Sequence, residues 1–379
     1  MKFIHLSDLH IGKRLCEYSL IDDQRYILNQ ILDIIKAENP GGIIIAGDVY
    51  DKSIPSEEAV ELFDEFLYEL SALPAETFII SGNHDSAERL SFAGRIIDAS
   101  GIHISHVYDG EVKPYTLYDE FGPVNVYMLP FIKPVHVRRF FPDDEIQSYT
   151  DAVDVAIKNM PINKNERNVL VTHQFVTGAV RSESEDISVG GTDNVDARVF
   201  EKFDYVALGH IHNPQNMGSE RIRYCGTPLK YSVSEAGYNK SVTSFELSDN
   251  GMLNLKTIPL IPLHNLAELK GTYLELTSKS FYDDTSYRTD YVHITLTDEN
   301  DIIDASGKLG VIYKRLIGIS YDNTRTRKSS IITLDDKMDF KSPLELFEEF
   351  YKLQNNAAMS EEQRGYMREL IEDIWEAEG

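Results

Sequence analysis

Short β-branched apolar runs alternate with segments of helical period through the first two thirds of the chain, the pattern of strands separated by helices or long loops. The strand candidates are Phe3 to Leu6, Ile43 to Ala46, Thr77 to Ile80, Val124 to Leu129, Asn168 to Val171 and Asp204 to Leu208. Between the first two, Ile21 to Glu38 carries Ile27, Ile31, Ile34 and Ile35 at helical spacing and is stopped by Asn39, Pro40, Gly41 and Gly42. Ser56 is placed to cap a second helix running through Leu70, with Glu57 and Glu58 in its first turn complementing the helix dipole. The alternation predicts a layered α/β domain.

The pattern changes around Pro259 to His264, which sets a first boundary and a domain spanning residues 1–264. Beyond it, Thr272 to Leu276, Tyr291 to Leu296 and Leu316 to Tyr321 read as strands, with a helix from about Asp301 to Arg315. A small α+β domain over residues 265–335 follows. Residues 336–379 read as two helices, each opened by a capping box: Ser342 with Glu345, where Pro343 takes the first helical position, and Ser360 with Gln363. The last helix carries an apolar stripe of Met367, Leu370, Ile371, Ile374 and Trp375. An amphipathic stripe serves equally for packing on its own domain or for a partner helix.

A chain of 379 residues with 42% hydrophobic and 26% charged positions is long enough for a sizeable core, which excludes a disulfide-stapled miniature and wholesale disorder. The 37 Lys and Arg face 62 Asp and Glu, a formal net charge of -25, so the mean field repels polyanions. A nucleic-acid substrate therefore requires a local basic patch, bound metal ions or a partner chain. Lys133, Arg138 and Arg139 form one basic stretch and Arg325, Arg327 and Lys328 another; each is equally an ordinary solvated surface. Cys16 and Cys225 lack CxxC spacing and suit a reducing cytoplasm. No apolar run approaches the roughly 18 residues of a membrane span, so no membrane association is expected.

Chemistry-bearing residues recur immediately after the predicted strands: Asp8 and His10 in Ser-Asp-Leu-His, Asp48 in Gly-Asp-Val-Tyr-Asp, Asn83 and His84 in Gly-Asn-His-Asp, His173 in Thr-His-Gln, and His210 and His212 in Gly-His-Ile-His. In an α/β sheet, groups at the carboxyl ends of strands converge on one crevice. Imidazoles mixed with carboxylates and an amide, without thiolates, suit manganese, iron or zinc. Even with one group in another role, seven ligands exceed the needs of one ion. Two ions about 3.5 to 4 Å apart, sharing a carboxylate, would use them all and form the clamp that phosphodiester hydrolysis exploits. Gly47, Gly82 and Gly209 precede ligands and fit tight turns. His5, His103, His106, His136, His264 and His293 fall outside these segments.

This ordered series resembles the calcineurin-like metallophosphoesterases. The flanks, from Lys2-Phe3-Ile4-His5 through Ser188-Val189-Gly190-Gly191 to Cys225-Gly226-Thr227-Pro228-Leu229-Lys230-Tyr231-Ser232 before Ser234-Glu235, resemble the SbcD-type bacterial nuclease subunits, which are related to the Mre-type repair nucleases. The resemblance implies an α/β layered sandwich with a small α+β capping domain and C-terminal helices. It implies that Asp8, His10 and His212 hold one divalent ion, Asn83, His173 and His210 another, and that Asp48 bridges them, with manganese as the expected metal. It assigns His84 to the scissile phosphate as proton donor and Asp51 as the residue orienting it; outside the resemblance, Asp85 is a competing orienter. It further implies a manganese-dependent exonuclease and endonuclease acting on DNA ends and hairpins, dimeric through its catalytic domain. The cap would position DNA, and the C-terminal helices would dock on an SbcC-like coiled-coil ATPase within a heterotetramer. No nucleotide-binding Gly-x-x-x-x-Gly-Lys-Ser/Thr occurs, so ATP dependence must reside in that other chain. A small-molecule phosphodiesterase and a metal-free DNA-end scaffold remain the alternative readings.

Overall fold

The computed structural model describes residues 1–185, 194–251, 253–324, 326, 344, 347–348, 350–352 and 359–377. Two compact units emerge, one of Met1–Leu296 with Ile302–Ser320 and one of Thr297–Asp301 with Tyr321–Gly379.

The first unit is built on two six-stranded sheets. In chain order the strands are β1 (Lys2–Leu6), β2 (Gly42–Ala46), β3 (Glu76–Ile80), β4 (Ile102–Ile104), β5 (Pro114–Asp119), β6 (Gly122–Leu129), β7 (Arg167–His173), β8 (Tyr205–Gly209), β9 (Gln215–Met217), β10 (Ser219–Tyr224), β11 (Ser241–Leu247) and β12 (Leu253–Pro259). One sheet runs β12-β11-β1-β2-β3-β4 and the other β9-β10-β8-β7-β6-β5. Each of the six strands expected from the sequence is present within one or two residues at each end.

Residue alternation explains the layering. Phe3, Ile44, Ala46, Phe78 and Ile80 from the first sheet meet Val124, Val126, Val169, Val171, Tyr205 and Ala207 from the second in a core between the sheets. The intervening Ile4, Ile43, Ile45 and Ile79 face outward, against helices α1 (Ile21–Glu38) and α2 (Glu57–Ser71). Tyr127, Leu170, Val206 and Leu208 likewise face α3 (Tyr149–Lys158). Strands apolar on both faces belong to sheets covered on both sides. Ser56 accepts a hydrogen bond from Ala59 N, the cap the sequence predicts for α2.

A third sheet orders as β13 (Leu266–Gly271), β14 (Tyr291–Leu296) and β15 (Arg315–Tyr321). It joins the sandwich through α1: Asp23 accepts from Tyr291 Oη at 2.9 Å and lies 3.0 Å from His264 Nδ1. Two expectations are corrected here. Thr272 to Leu276 is not a strand but the helical turn Tyr273–Leu276, because Thr272 and Glu275 form a reciprocal capping box whose side chains satisfy the turn's free N–H groups. The helix expected over residues 301–315 is only α4 (Ala305–Ile312), opened by Asp304 in the left-handed region and closed at an extended Tyr313.

In the second unit, α5 (Glu361–Ala377) begins with the anticipated box: Ser360 N donates to Gln363 Oε1 at 2.9 Å and Gln363 N to Ser360 Oγ at 3.2 Å. The proposed cap at Ser342, the basic residues Arg325, Arg327 and Lys328, the segment Ser188 to Gly191 and the side chains of Ile371, Ile374 and Trp375 lie outside the described residues. Among the described residues, no helix is long and apolar enough to cross a membrane.

Candidate metal centre

The loops leaving β1, β2, β3 and β8 and the last residue of β7 meet at one end of the sandwich. Each ligand-bearing loop is anchored by an aliphatic residue facing the core. Leu9 separates Asp8 from His10, Ile211 separates His210 from His212, and Val49 follows Asp48; all three are essentially inaccessible. Burial of each such side chain contributes about 1.5 to 3 kcal/mol, and it turns the flanking polar residues the other way, toward the crevice. Main-chain bonds extend the β1–β2 pairing into the loops: Asp8 N reaches Gly47 O at 3.0 Å and His10 N reaches Asp48 O at 2.9 Å. Asp8, His10, Asp48 and His210 all hold positive φ, at 52°, 44°, 50° and 103°. Such conformations cost about 1 to 3 kcal/mol each and collect at functional sites.

The glycines fit by close approach. A Cβ on Gly82 would stand 2.1 Å from Asp48 Oδ1, and one on Gly209 would stand 1.9 Å from Ala46 O.

All seven candidate ligands, and His84, are brought together. Ligand atoms of Asp8, His10 and His212 lie within 4.8 Å of one another, as do those of Asp8, Asp48 and His173 and those of His10, Asp48 and His84. His10 Nε2 and His212 Nε2 are 3.1 Å apart. Asn83 Oδ1 is 3.0 Å from His173 Nε2 and 2.8 Å from His210 Nδ1. Asp48 Oδ2 stands between the two groups, 3.3 Å from His173 Nε2 and 3.7 Å from His10 Nε2. Electron-pair donors this close need a cation or a proton between them, and ligand spacings near 3 Å match two donors on one ion at about 2.0 to 2.2 Å. The residues therefore fit divalent metal.

Burial opposes charge on His173, but the Asp48 carboxylate outweighs it and raises this imidazole to about 9, so a cation must displace its proton. Burial pushes Asp8 up to about 6. Burial also opposes charge on Asp48, but His173, by its charge and a hydrogen bond, outweighs it and holds this carboxyl well below the usual range. Burial keeps His10 and His210 neutral by driving their pKa values well down, leaving lone pairs available. His173 donates through Nδ1 to Ala46 O at 2.8 Å, which directs Nε2 into the cluster.

His84 sits at the edge with Nδ1 3.0 Å from the main-chain oxygen of Asp51. Both residues considered as carboxylate orienters of His84 do something else. The Asp51 carboxylate pairs with Lys13 Nζ at 2.7 Å and comes within 3.8 Å of His10 Nδ1. The Asp85 carboxylate accepts from Val49 N, Tyr50 N and Gly82 N at 3.1, 2.9 and 2.9 Å, tying the β2 loop to the β3 loop. Three turn N–H groups hold the Asp85 carboxylate, and the Lys13 ammonium holds that of Asp51.

Sequence reasoning missed Gln24 of α1, whose amide donates to His10 O at 2.7 Å while its oxygen accepts from Gly12 N at 2.9 Å. It also missed Ser184, 2.6 Å from His212 Nδ1. Neither carries a signal in a single sequence, since both act through contacts between segments distant along the chain. Of the other histidines, His5 bonds Tyr205 Oη at 3.1 Å, and His103 lies between Asp98 and Glu76 at 2.6 and 2.9 Å.

Comparison with known proteins places this geometry in a family. Residues 1–214 match the calcineurin-like phosphoesterase family, and residues 262–355 match the type 5 capsule protein repressor C-terminal domain, SbcD_C. The SbcD component of the SbcCD nuclease of Staphylococcus epidermidis (strain ATCC 12228 / FDA PCI 1200) is 31% identical over 386 residues, covering 100% of both chains. A crystal structure of a dimetal phosphatase from Danio rerio aligns at a TM-score of 0.41 and 11% identity, over 69% of this chain and 98% of that one. With the family match covering the sandwich and its ligand loops, and the full-length relative covering the rest, the chain belongs to the calcineurin-like phosphoesterases and, within them, to the SbcD group.

Proposed function

We propose that this chain is a two-metal DNA nuclease subunit that hydrolyses phosphodiester bonds at DNA ends and hairpins, with manganese as its metal. The observation that carries the reading is the junction at Asp48, whose carboxylate lies between the group formed with His173 and Asn83 and the group formed with His10, Asp8 and His212. Asp8, His10 and His212 would hold one ion, Asn83, His173 and His210 the other, with Asp48 shared. Two divalent cations there would supply activation of water near neutral pH and neutralisation of the phosphoryl oxygens.

The chain's own contribution is orientation and proton transfer. His84 Nδ1 donates to the Asp51 carbonyl, so Nε2 carries the exchangeable proton, and its half-buried ring faces the cluster edge. In the imidazolium form it can protonate a leaving oxygen. Local cations also answer the charge objection: a chain of net -25 can still draw phosphate to a site where metals offset Asp8 and Asp48.

Within the same proposal, residues 1–264 form the nuclease domain, 265–335 a cap that positions DNA, and 336–379 the helices that dock on a coiled-coil ATPase partner of the SbcC type. Two copies would assemble through the catalytic domain. The support is the full-length similarity to a protein named as part of the SbcCD nuclease, together with the absence of any nucleotide-binding loop in the sequence.

The test is a cleavage assay on a labelled hairpin duplex, with and without manganese, ATP and the partner. Cleavage should require manganese, and His84→Ala should lower it by about 10²- to 10⁴-fold while bound manganese stays at the wild-type level. Loss of metal in that variant would contradict the role given to His84. A clear preference for a phosphomonoester over DNA would overturn the nuclease reading.

A further inference from the structure

His212 stands apart from the other imidazoles of the cluster in how its far side is held. Its Nδ1 lies 2.6 Å from Ser184 Oγ, and Ser184 Oγ in turn donates to Glu235 Oε1 at 2.5 Å. Glu235 is completely buried, and its second oxygen is bound by the buried Lys240 ammonium at 2.5 Å. The same lysine donates to His212 O at 2.9 Å and to Thr227 Oγ1 at 2.6 Å. Glu185 accepts from His212 N at 2.6 Å. The imidazole, its N–H and its carbonyl are thus fixed by separate partners. By contrast, His10 Nδ1 has no hydrogen-bond partner, the Asp51 carboxylate standing 3.8 Å off.

We infer that Ser184 and Glu235 are positioning residues for His212: a hydroxyl-bridged relay from a buried carboxylate fixes the imidazole as its Nδ1–H tautomer and aims the Nε2 lone pair at the cation held with Asp8 and His10. The direction of the relay follows from chemistry. Glu235, bound to an ammonium, is an acceptor only; the Ser184 proton must therefore go to it, leaving Ser184 Oγ to accept from His212 Nδ1. Nε2 is then left as an acceptor facing His10 Nε2. A partner on the outer nitrogen of a ligating histidine sets its tautomer and raises its basicity, and loss of such a partner costs about 10- to 100-fold in metal affinity. Lys240 fixes the carboxylate rather than the ring, which explains why a lysine is buried so near a cation site: its charge is spent on Glu235.

The inference rests on the two-cation reading above and is tested on metal-stripped full-length protein by calorimetric titration with manganese. Wild type should take up two ions. Ser184→Ala, which breaks the relay without touching the Glu235–Lys240 pair, should weaken one of them by about 10- to 100-fold and leave the other unchanged. Ser184→Thr, which keeps the hydroxyl, should restore wild-type affinity. Glu235→Gln should weaken the same ion. Isotherms that superimpose, both ions weakening together, or no rescue by threonine would overturn the relay. Wild type binding no manganese would overturn the metal reading and the relay with it. Two ions bound with DNA left uncut would sink the proposed function and leave the relay standing.

Discussion

The main-chain oxygen of Asp51 lies 3.0 Å from Nδ1 of His84, while the carboxylate of the same residue points to Lys13, 2.7 Å away. A peptide carbonyl survives replacement of the side chain on its own Cα. Asp51→Ala should therefore keep the His84 ring in place and lower manganese-dependent diester cleavage by less than about tenfold, against about 10²- to 10⁴-fold for His84→Ala. Steady-state rates for the two variants on one DNA substrate decide the point. Equal losses would mean that the carboxylate itself serves the reaction.

The glycines before the ligands give a sharper contrast. Gly82→Ala would force a methyl to 2.1 Å from Asp48 Oδ1 and 2.5 Å from Asp48 N, a collision with the shared carboxylate and its backbone. Nothing lies within 4 Å of a Cβ built on Gly237, and its φ is not in the left-handed region. Gly82→Ala should cost about 2 kcal/mol or more and abolish manganese binding, whereas Gly237→Ala should stay within about 0.5 kcal/mol of wild type. Thermal melts with and without manganese read both effects.

Metal should stabilise the fold, because Asp8 and Asp48 are almost fully buried side by side and only the folded chain assembles their partners. Manganese at 100 times its dissociation constant should add about 2.7 kcal/mol, seen as a rise in melting temperature that EDTA reverses. The effect should depend on pH with a definite sign. Burial raises Asp8 to about 6, so below that pH the metal-free protein carries a proton there that the ion must displace. The manganese-induced rise should shrink as pH falls through 6. A rise that stays constant from pH 7.5 to about 5 would show that the ion displaces no proton from Asp8 or His173.

How much of this was legible in the sequence follows from which interactions are local. Asp8, His10, His210 and His212 were readable because an aliphatic anchor sits between each pair, and because a strand's carboxyl end fixes where its loop begins. The strands themselves were readable because both of their faces are buried, giving continuous apolar runs such as Gly42–Ala46. Amphipathic strands such as Leu253–Pro259, which alternate between half-buried and exposed, gave no such run. Thr272 to Leu276 misled because Thr and Tyr favour strands by propensity, while the deciding contact was a side-chain cap to Glu275. The role of Asp51 was left open for a related reason. Sequence position brought it beside His84 but could not say whether its carboxylate or its peptide oxygen would face the ring.

The end of the sandwich opposite the ligand loops is held by a second charged cluster, and its acid response can be separated from the metal site. Arg167, at the start of β7, is buried and grips both oxygens of Asp119 while also donating to Gly122 O at 2.7 Å and Leu247 O at 3.0 Å. Hydrogen bonding to Arg167 holds the Asp119 carboxyl far below the ordinary carboxylate range. The folded chain thus binds fewer protons at this residue than the unfolded chain does. Its stabilisation is complete above the unfolded value near 3.9 and is lost as pH falls below that toward the depressed folded value. Asp119→Asn leaves a buried guanidinium without its anion and should lower stability at pH 7 by about 2 kcal/mol, while flattening the loss of stability between about pH 4 and pH 2. Denaturant titrations at pH 7, 4 and 3 measure both changes. Because the pair sits at the far end of β6 and β7 from His173, manganese affinity at pH 7 should be the same in the variant as in the wild type. A coupled loss of manganese would show that the two ends of the sandwich do not respond independently.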